Sequence, residues 1–164
     1  MPELPEVETV RRGLSHLVVG YRINEVQELH PRVRKSSSLS SISGIQGARI
    51  TGVNRRGKYL WFELDRPQVL AAHLGMSGQF LFQQKDRPQA KHVRALFKIS
   101  KGARKKELVF NDQRTFGWLS VEELADGAPT SAAHIGRDPF DPRFDKLMTM
   151  KDYARRNMKL RRRC

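Results

Sequence analysis

Apolar residues recur at three- and four-residue spacing early in the chain: Val7, Val10, Leu14, Leu17 and Val18 make one stripe. The stripe predicts a helix over residues 5–19, started at Pro5 and stopped at Gly20. Arg11 and Arg12 lie off it. After Gly20 the pattern reads two ways. Tyr21 and Ile23 alternate like a strand, while Ile23, Val26 and Leu29 are spaced by three. The β-branched residues and the preceding glycine favour a first strand here. Ser36 to Gly44 is serine-rich and loop-like, yet Leu39, Ile42 and Ile45 are again spaced by three. The serines before them suit a helix cap, so a short helix is expected.

Strands then follow in quick succession, at residues 48–54, 58–64, 69–74, 79–83, 92–100, 106–110 and 117–120. Polar turns such as Lys101-Gly102 separate them, and no long helix intervenes. That order predicts antiparallel β structure, a sandwich or barrel, not a parallel α/β sheet. We expect a mainly β domain with flanking helices: a sandwich of about eight strands, with an N-terminal helix. Residues 121–126 read as a short helix. Residues 127–147 carry three prolines and little periodicity, a linker pattern. From Thr149 the chain turns helical and basic, with seven Lys and Arg against Asp152 alone within residues 151–163. The expected domains are 1–126, a linker over 127–147, and a basic helix within 148–164.

Charge narrows the partners. The 164 residues hold 31 Lys and Arg against 17 Asp and Glu, a net charge of +14. That balance points to a polyanion, most simply nucleic acid. The longest apolar runs fall far short of the roughly 18 residues that a membrane span needs, and no basic segment carries bulky apolar anchors. No membrane partner is expected. The N-terminus is acidic, unlike a secretion signal. The single cysteine, Cys164, excludes an internal disulfide framework and a cysteine-rich zinc site within these residues. A reducing cytoplasm is the expected location.

Candidate chemistry begins at Met1-Pro2-Glu3-Leu4-Pro5-Glu6-Val7-Glu8. Removal of Met1 would leave Pro2 with a free secondary amine. Terminal amines have pKa values of roughly 7.7–8.0, well below lysine. Such an amine can attack an aldehyde-like carbon and form an iminium. Glu3 is adjacent, and Glu6 lies one helical turn on. An amine beside a carboxylate is the minimum equipment for imine chemistry with proton transfer. Proline followed by acids is also an ordinary helix start.

Four separated stretches share one likeness. They are the opening Pro2-to-Glu8 segment, Arg56-Gly57-Lys58-Tyr59-Leu60, His73-Leu74-Gly75-Met76-Ser77-Gly78, and Asn111-Asp112-Gln113-Arg114-Thr115-Phe116-Gly117. Together they resemble the N-terminal domain of bacterial formamidopyrimidine-DNA glycosylase and its endonuclease VIII relatives. Gly136-Arg137-Asp138-Pro139-Phe140-Asp141 resembles that family's linker. The likeness covers residues 2–145 in order, and the Gly-Met-Ser-Gly and Arg-x-Phe-Gly signatures favour the glycosylase branch.

The resemblance implies base-excision repair of double-stranded DNA, acting on oxidised purines such as 8-oxoguanine, on formamidopyrimidines and on abasic sites. It implies that Pro2 attacks C1′ and forms a Schiff base, with Glu3 as acid/base and Lys58 at phosphate or lesion. Glu6 would hold the damaged base or the helix mouth. Met76 would be the wedge in the emptied stack, Arg114 the partner of the widowed base, and Phe116 its neighbour. His73 and His92 would contact phosphate or backbone, with a structural role equally open for His92. It also implies a nucleoid-associated location.

The family continues with a helix–two-turn–helix domain and a four-cysteine zinc finger. This chain reads as truncated before them, with residues 148–164 matching that domain's first helix. No cofactor or metal is therefore expected here. A separate chain completing the DNA clamp, or an inactive DNA-binding remnant, are the alternatives to a working glycosylase/lyase.

Overall fold

The computed structural model describes residues 3–136. Pro2, the linker residues 137–147 and the expected basic helix of 148–164 lie outside the described residues.

Helix α1 spans Leu4–Val18. Pro5 sits in its first turn, where the missing N–H leaves no hydrogen bond unmade. Val7, Leu14 and Val18 are buried, and Val10 packs partly against the core. Leu17, expected in the stripe, is 43% exposed. Among the described residues nine strands follow: β1 Arg22–Glu28, β2 Ile50–Arg56, β3 Tyr59–Leu64, β4 Gln68–His73, β5 Gln79–Gln84, β6 Val93–Lys101, β7 Arg104–Asn111, β8 Trp118–Ala125 and β9 Ala128–Pro129. They form two antiparallel sheets, ordered β1-β6-β7-β5 and β2-β3-β4-β8-β9. Phe97, Ile99, Leu108 and Phe110 of the first sheet and Leu60, Phe62, Leu70 and Val121 of the second close one core, joined by α1. This is the expected sandwich with its N-terminal helix.

The ambiguous three-residue spacings have a physical cause. β1 carries a bulge between Ile23 and Glu25, which leaves Asn24 as an extra residue opposite β6. The extra residue turns Ile23 and Val26 to the same buried side. A bulge between Ile50 and Gly52 does the same for Ile50 and Val53 in β2.

Two expected helices are corrected. Residues 121–125 continue β8 instead, where Val69 pairs Glu122 and Gln68 pairs Glu123, and Asp126 opens the turn into β9. Leu119 and Val121 face the core, and pairing to β4 and β9 overrides the helical preference of Glu-Glu-Leu-Ala. The helix over Leu39 to Ile45 is only a 3-10 turn at Ile42–Ile45. Leu39 is exposed, and its N–H donates to the Val121 carbonyl at 2.9 Å.

The first residues of the expected linker are packed. β9 pairs with the end of β8, and Ala128 and Ala132 are buried against Trp61, Val69 and Ala71.

One row of pairs sets up the site. Arg56 pairs Tyr59, Tyr59 pairs His73, and His73 pairs Trp118. Beyond this row lie the turn Gly57-Lys58, the loop 74–78 and the loop 112–117, all at one end of the five-stranded sheet.

Candidate functional site

The helix mouth is held by its own acids. Glu3 precedes α1 in an extended conformation, and its carbonyl accepts the Val7 N–H at 3.0 Å. Glu6 Oε2 accepts the Glu3 N–H at 3.2 Å. Both acids sit at the positive end of the helix dipole. Glu6 thus fixes the backbone of the residue next to Pro2.

Glu8, to which the sequence assigned no role, anchors this helix. Its carboxylate accepts Arg55 Nε at 2.7 Å, Arg11 Nη2 at 2.9 Å and Arg12 Nε at 3.0 Å. Burial pushes the Glu8 carboxyl up, but the hydrogen bonds from Arg11, Arg55 and Arg12 outweigh it and hold the pKa at about 2. Arg55 Nη1 also donates to the Gly57 carbonyl at 3.1 Å. The chain Glu8–Arg55–Gly57 therefore ties the helix mouth to the Gly57-Lys58 turn. Arg11 and Arg12 were readable at three and four residues from Glu8. Arg55 was not, because it comes from β2.

Lys58 sits half-buried in the turn itself, one residue before β3. Gly57 takes φ +58 at the first central position, as a two-residue hairpin requires. The His73 ring lies beside it, edge-on to Tyr59 at 5.1 Å and stacked on Trp118 at 5.9 Å. Lys35 Nζ stands 4.5 Å over the Trp118 ring. Burial, then the charges of Lys58 and Lys35, push the His73 pKa down. His73 Nδ1 accepts the Gly75 N–H at 3.0 Å, so the neutral ring carries its proton on Nε2. The sequence picked out neither Lys35 nor Trp118.

Met76 and Arg114 come from different loops and meet. Arg114 Nη1 lies 3.9 Å from Met76 Sδ. Both are exposed, and Phe116 beside them is 62% exposed. The residue that joins the loops is the buried Asp112. Its Oδ1 accepts Ser77 Oγ at 2.6 Å and the Arg114 N–H at 3.2 Å, and its Oδ2 accepts the Gly117 N–H at 2.7 Å. The Asp112-to-Arg114 bond is an Asx-type turn, the one local signal that marked this residue. Backbone approaches backbone here: a Cβ on Gly75 would stand 2.5 Å from the Gly117 nitrogen. Thr115, between Arg114 and Phe116, is held at φ +57.

His92 enters through its backbone. Its carbonyl accepts the Asp112 N–H at 2.9 Å, and among the described residues its ring makes no hydrogen bond. Arg94 Nε donates to the Asp112 carbonyl at 2.8 Å.

Lys58, His73, Met76, Arg114 and Phe116 therefore gather at one end of the sandwich, with Glu3 and Glu6 linked to that end through Glu8 and Arg55. Among the described residues no three His, Cys, Asp or Glu side chains converge as a metal site would need. The arrangement suits a stacked polyanion. The cations of Lys35, Lys58 and Arg114 can meet phosphates or base edges. The apolar tips of Met76 and Phe116 can occupy a gap between stacked rings.

Comparison with known proteins gives the family. The formamidopyrimidine-DNA glycosylase N-terminal domain matches residues 1–119. A formamidopyrimidine-DNA glycosylase of Acidothermus cellulolyticus is 46% identical over 165 residues, covering 99% of this chain and 57% of that protein. One of Rhodococcus jostii is 47% identical, covering 92% of this chain and 53% of that protein. A solved complex of the Lactococcus lactis Fpg with DNA containing an abasic site has a TM-score of 0.68 at 34% identity, covering 74% of this chain and 44% of that one. The chain thus spans about half the length of the relatives it matches.

Proposed function

From the premise that this chain belongs to the formamidopyrimidine-DNA glycosylase family by its N-terminal domain, we propose that it is the catalytic wall of a DNA glycosylase/lyase for oxidised purines. The observation that carries the reading is the meeting of Met76 and Arg114, two exposed side chains from separate loops, locked by Asp112. A surface protein has no packing reason to expose Met76 and Phe116 side by side with a guanidinium. An enzyme that takes a base out of the duplex has one, because the vacated stack must be filled and the widowed base paired.

In this reading the Pro2 amine attacks C1′ of the damaged nucleotide. The N–C1′ bond forms, the glycosidic bond breaks, and the base leaves with a proton. Opening of the sugar ring gives the iminium. Loss of the C2′ proton then expels the 3′ phosphate, and a second elimination expels the 5′ phosphate. Glu3 carries protons in ring opening. Glu6 keeps the helix mouth, and so residue 2, in place. Lys58 and Lys35 draw the backbone phosphates to the neutral His73, whose Nε2–H is a further donor. The solved relative with abasic-site DNA supports DNA carrying such a site as a ligand class.

Borohydride trapping on duplex DNA with one abasic site tests this. The expected result is a covalent adduct that maps by mass to Pro2, is lost in Pro2→Gly and is reduced in Glu3→Gln. No adduct from a chain that has lost Met1 and still binds DNA would leave a binding module without chemistry and overturn the proposal.

A further inference from the structure

The end of the sandwich far from Met76 and Arg114 gathers many cations and few acids. β6 and β7 join there at Lys101–Arg104, and the turn residue Gly102 points into open space. β7 runs from this tip to Asn111, roughly 23 Å at ~3.3 Å per residue. α1 reports the same separation: its last turn lies about 20 Å from its mouth at ~1.5 Å per residue.

Between that last turn and the ends of β5 and β7 lies an open groove of about 490 Å³. Tyr21 and Phe82 line it, packed edge to face at 5.8 Å. Lys101, Arg104, Lys105 and Lys106 rim it. A second depression of about 360 Å³ shares Lys101 and adds Arg22 and Arg49. Among the described residues none of these six cations joins an ion pair. The nearby Asp65 feels Arg22 and takes a hydrogen bond from the Arg49 backbone N–H, so it offsets one charge at most.

The fold uses Arg22, whose Nη1 donates to the Gly47 carbonyl at 2.6 Å, and sets Lys101 6.0 Å over the Tyr21 ring, but it does not call for the other charges. The C-terminal end of α1 presents the equivalent of roughly −0.5 charge, which one lysine satisfies. Six cations without an ion-pair partner around two grooves repel one another, and an anion among them would relieve that repulsion. Their spacing fits a repeating anion. Arg104 and Lys106 share a strand face about 6.6 Å apart, close to two of the ~3.4 Å rises between charges on one DNA strand. A membrane surface fits less well, because Leu17 is the one exposed large apolar side chain on the groove wall and interfacial binding needs several.

We propose that the groove bounded by the Lys101–Arg104 turn and the end of α1 is a second nucleic-acid surface, holding the phosphate backbone of duplex DNA outside the segment engaged by Met76 and Arg114. The choice of DNA over other polyanions rests on the proposed function; the surface itself does not. Its use would be to keep the protein on DNA while the wedge end samples base pairs.

The test titrates the full chain with an undamaged fluorescent duplex of about 12 bp, long enough to span one surface at ~3.4 Å per base pair. Wild type is expected to show two classes of bound duplex at low salt. Replacing Lys101, Arg104, Lys105 and Lys106 by Gln removes one class. It lowers the slope of log K against log salt by roughly 3 to 4, near 0.9 for each phosphate no longer neutralised. The pair Lys58→Gln with Arg114→Gln removes the other class. Exchanging Lys and Arg within the turn restores binding. The smaller pair Arg104→Gln with Lys105→Gln, both exposed, guards against misfolding and lowers the slope by about half as much.

An unchanged slope and stoichiometry in the folded turn variants overturns the proposal. So does turn-dependent binding to phosphatidylserine vesicles with DNA binding unaltered. Trapping at Pro2 separates the two readings: turn variants keep the adduct at saturating abasic DNA. A wild type that gives no adduct but shows the turn-dependent slope would sink the lyase and leave this surface standing.

Discussion

The sulfur of Met76 lies 3.9 Å from Nη1 of Arg114, although 38 residues separate them in the chain. Neither side chain is buried, so packing alone does not set this geometry. Asp112 does, by receiving a hydroxyl from one loop and two backbone N–H groups from the other. A buried carboxylate with three donors is rigid, and the two exposed tips inherit that rigidity.

If the proposed function holds, Met76→Ala is expected to slow excision of 8-oxoguanine about tenfold or more, because a wedge at this position would offset part of the few kcal/mol needed to unstack a paired base. Cleavage at a preformed abasic site should fall far less, since no base pair must be opened. Single-turnover rates on the two duplexes measure the difference. Equal losses would mean that Met76 does not act as a wedge.

Asp112→Ala strands three donors in or near the core. At ~1–3 kcal/mol for an unsatisfied buried group, with some relief as the loops relax, the cost should be about 3 kcal/mol. Asp112→Asn keeps one accepting oxygen and should cost about half as much. Urea midpoints at constant m-value check both.

Thr115 holds φ +57, a conformation that opposes a β-branched side chain. Thr115→Gly should relieve about 1–2 kcal/mol of strain and return part of it as unfolded-chain entropy. The expected net gain is about 0.5–1 kcal/mol, a rise of roughly 2–3 °C in Tm. Glycine also loosens Phe116, so excision should drop while stability climbs. A lower Tm would contradict the strain.

His73 makes stability depend on pH. The unfolded imidazole binds its proton near the ordinary 6.5, and the folded one only at lower pH. Between those values the unfolded state holds more protons, so stability rises with pH. The contribution is complete above about pH 6.5 and is lost as pH falls through the folded pKa. Tm measured between about pH 5 and 7.5 should climb in wild type and flatten in His73→Gln.

Glu8 acts at the opposite edge of the pH scale. Its folded pKa of about 2 lies below the ordinary 4.5, so its contribution is present above 4.5 and disappears as pH drops towards 2. Glu8→Gln leaves three guanidinium groups without their carboxylate. The cost should be about 2 kcal/mol, under the ~3–5 of a fully buried pair because Arg11 and Arg12 reach water. Trapping of abasic DNA should also weaken, as the helix mouth loses its tie to the Lys58 turn. Unaltered trapping in a destabilised Glu8→Gln would confine Glu8 to stability.

Much of the sandwich was legible because strand alternation and turn chemistry are local. The Lys101-Gly102 turn, the aromatic run of β3 and the glycine-bounded Met76 each declare themselves within a few residues. Failures came where a partner decides. Glu-Glu-Leu-Ala at 122–125 has helical preference, but β4 pairs with its first two residues and β9 with its last two. Ile23 and Val26 kept a helical period because Asn24 bulges, and bulges are fixed by pairing with β6.

The candidate site residues are legible one short stretch at a time: Glu3 and Glu6 at a helix start, Lys58 after a glycine, Met76 between glycines, Arg114 and Phe116 in one short loop. Each is read from neighbours in the chain, where spacing fixes geometry. What holds them in place emerges only once the sheets are packed. Asp112 bridges two loops, Glu8 binds Arg55 across 47 residues, and Lys35 comes to rest over Trp118. Such contacts depend on which strands lie side by side, and the cations around the Lys101–Arg104 turn become one surface for the same reason. Long-range pairing is set by the sum of the whole core, and no local stretch of residues carries that sum.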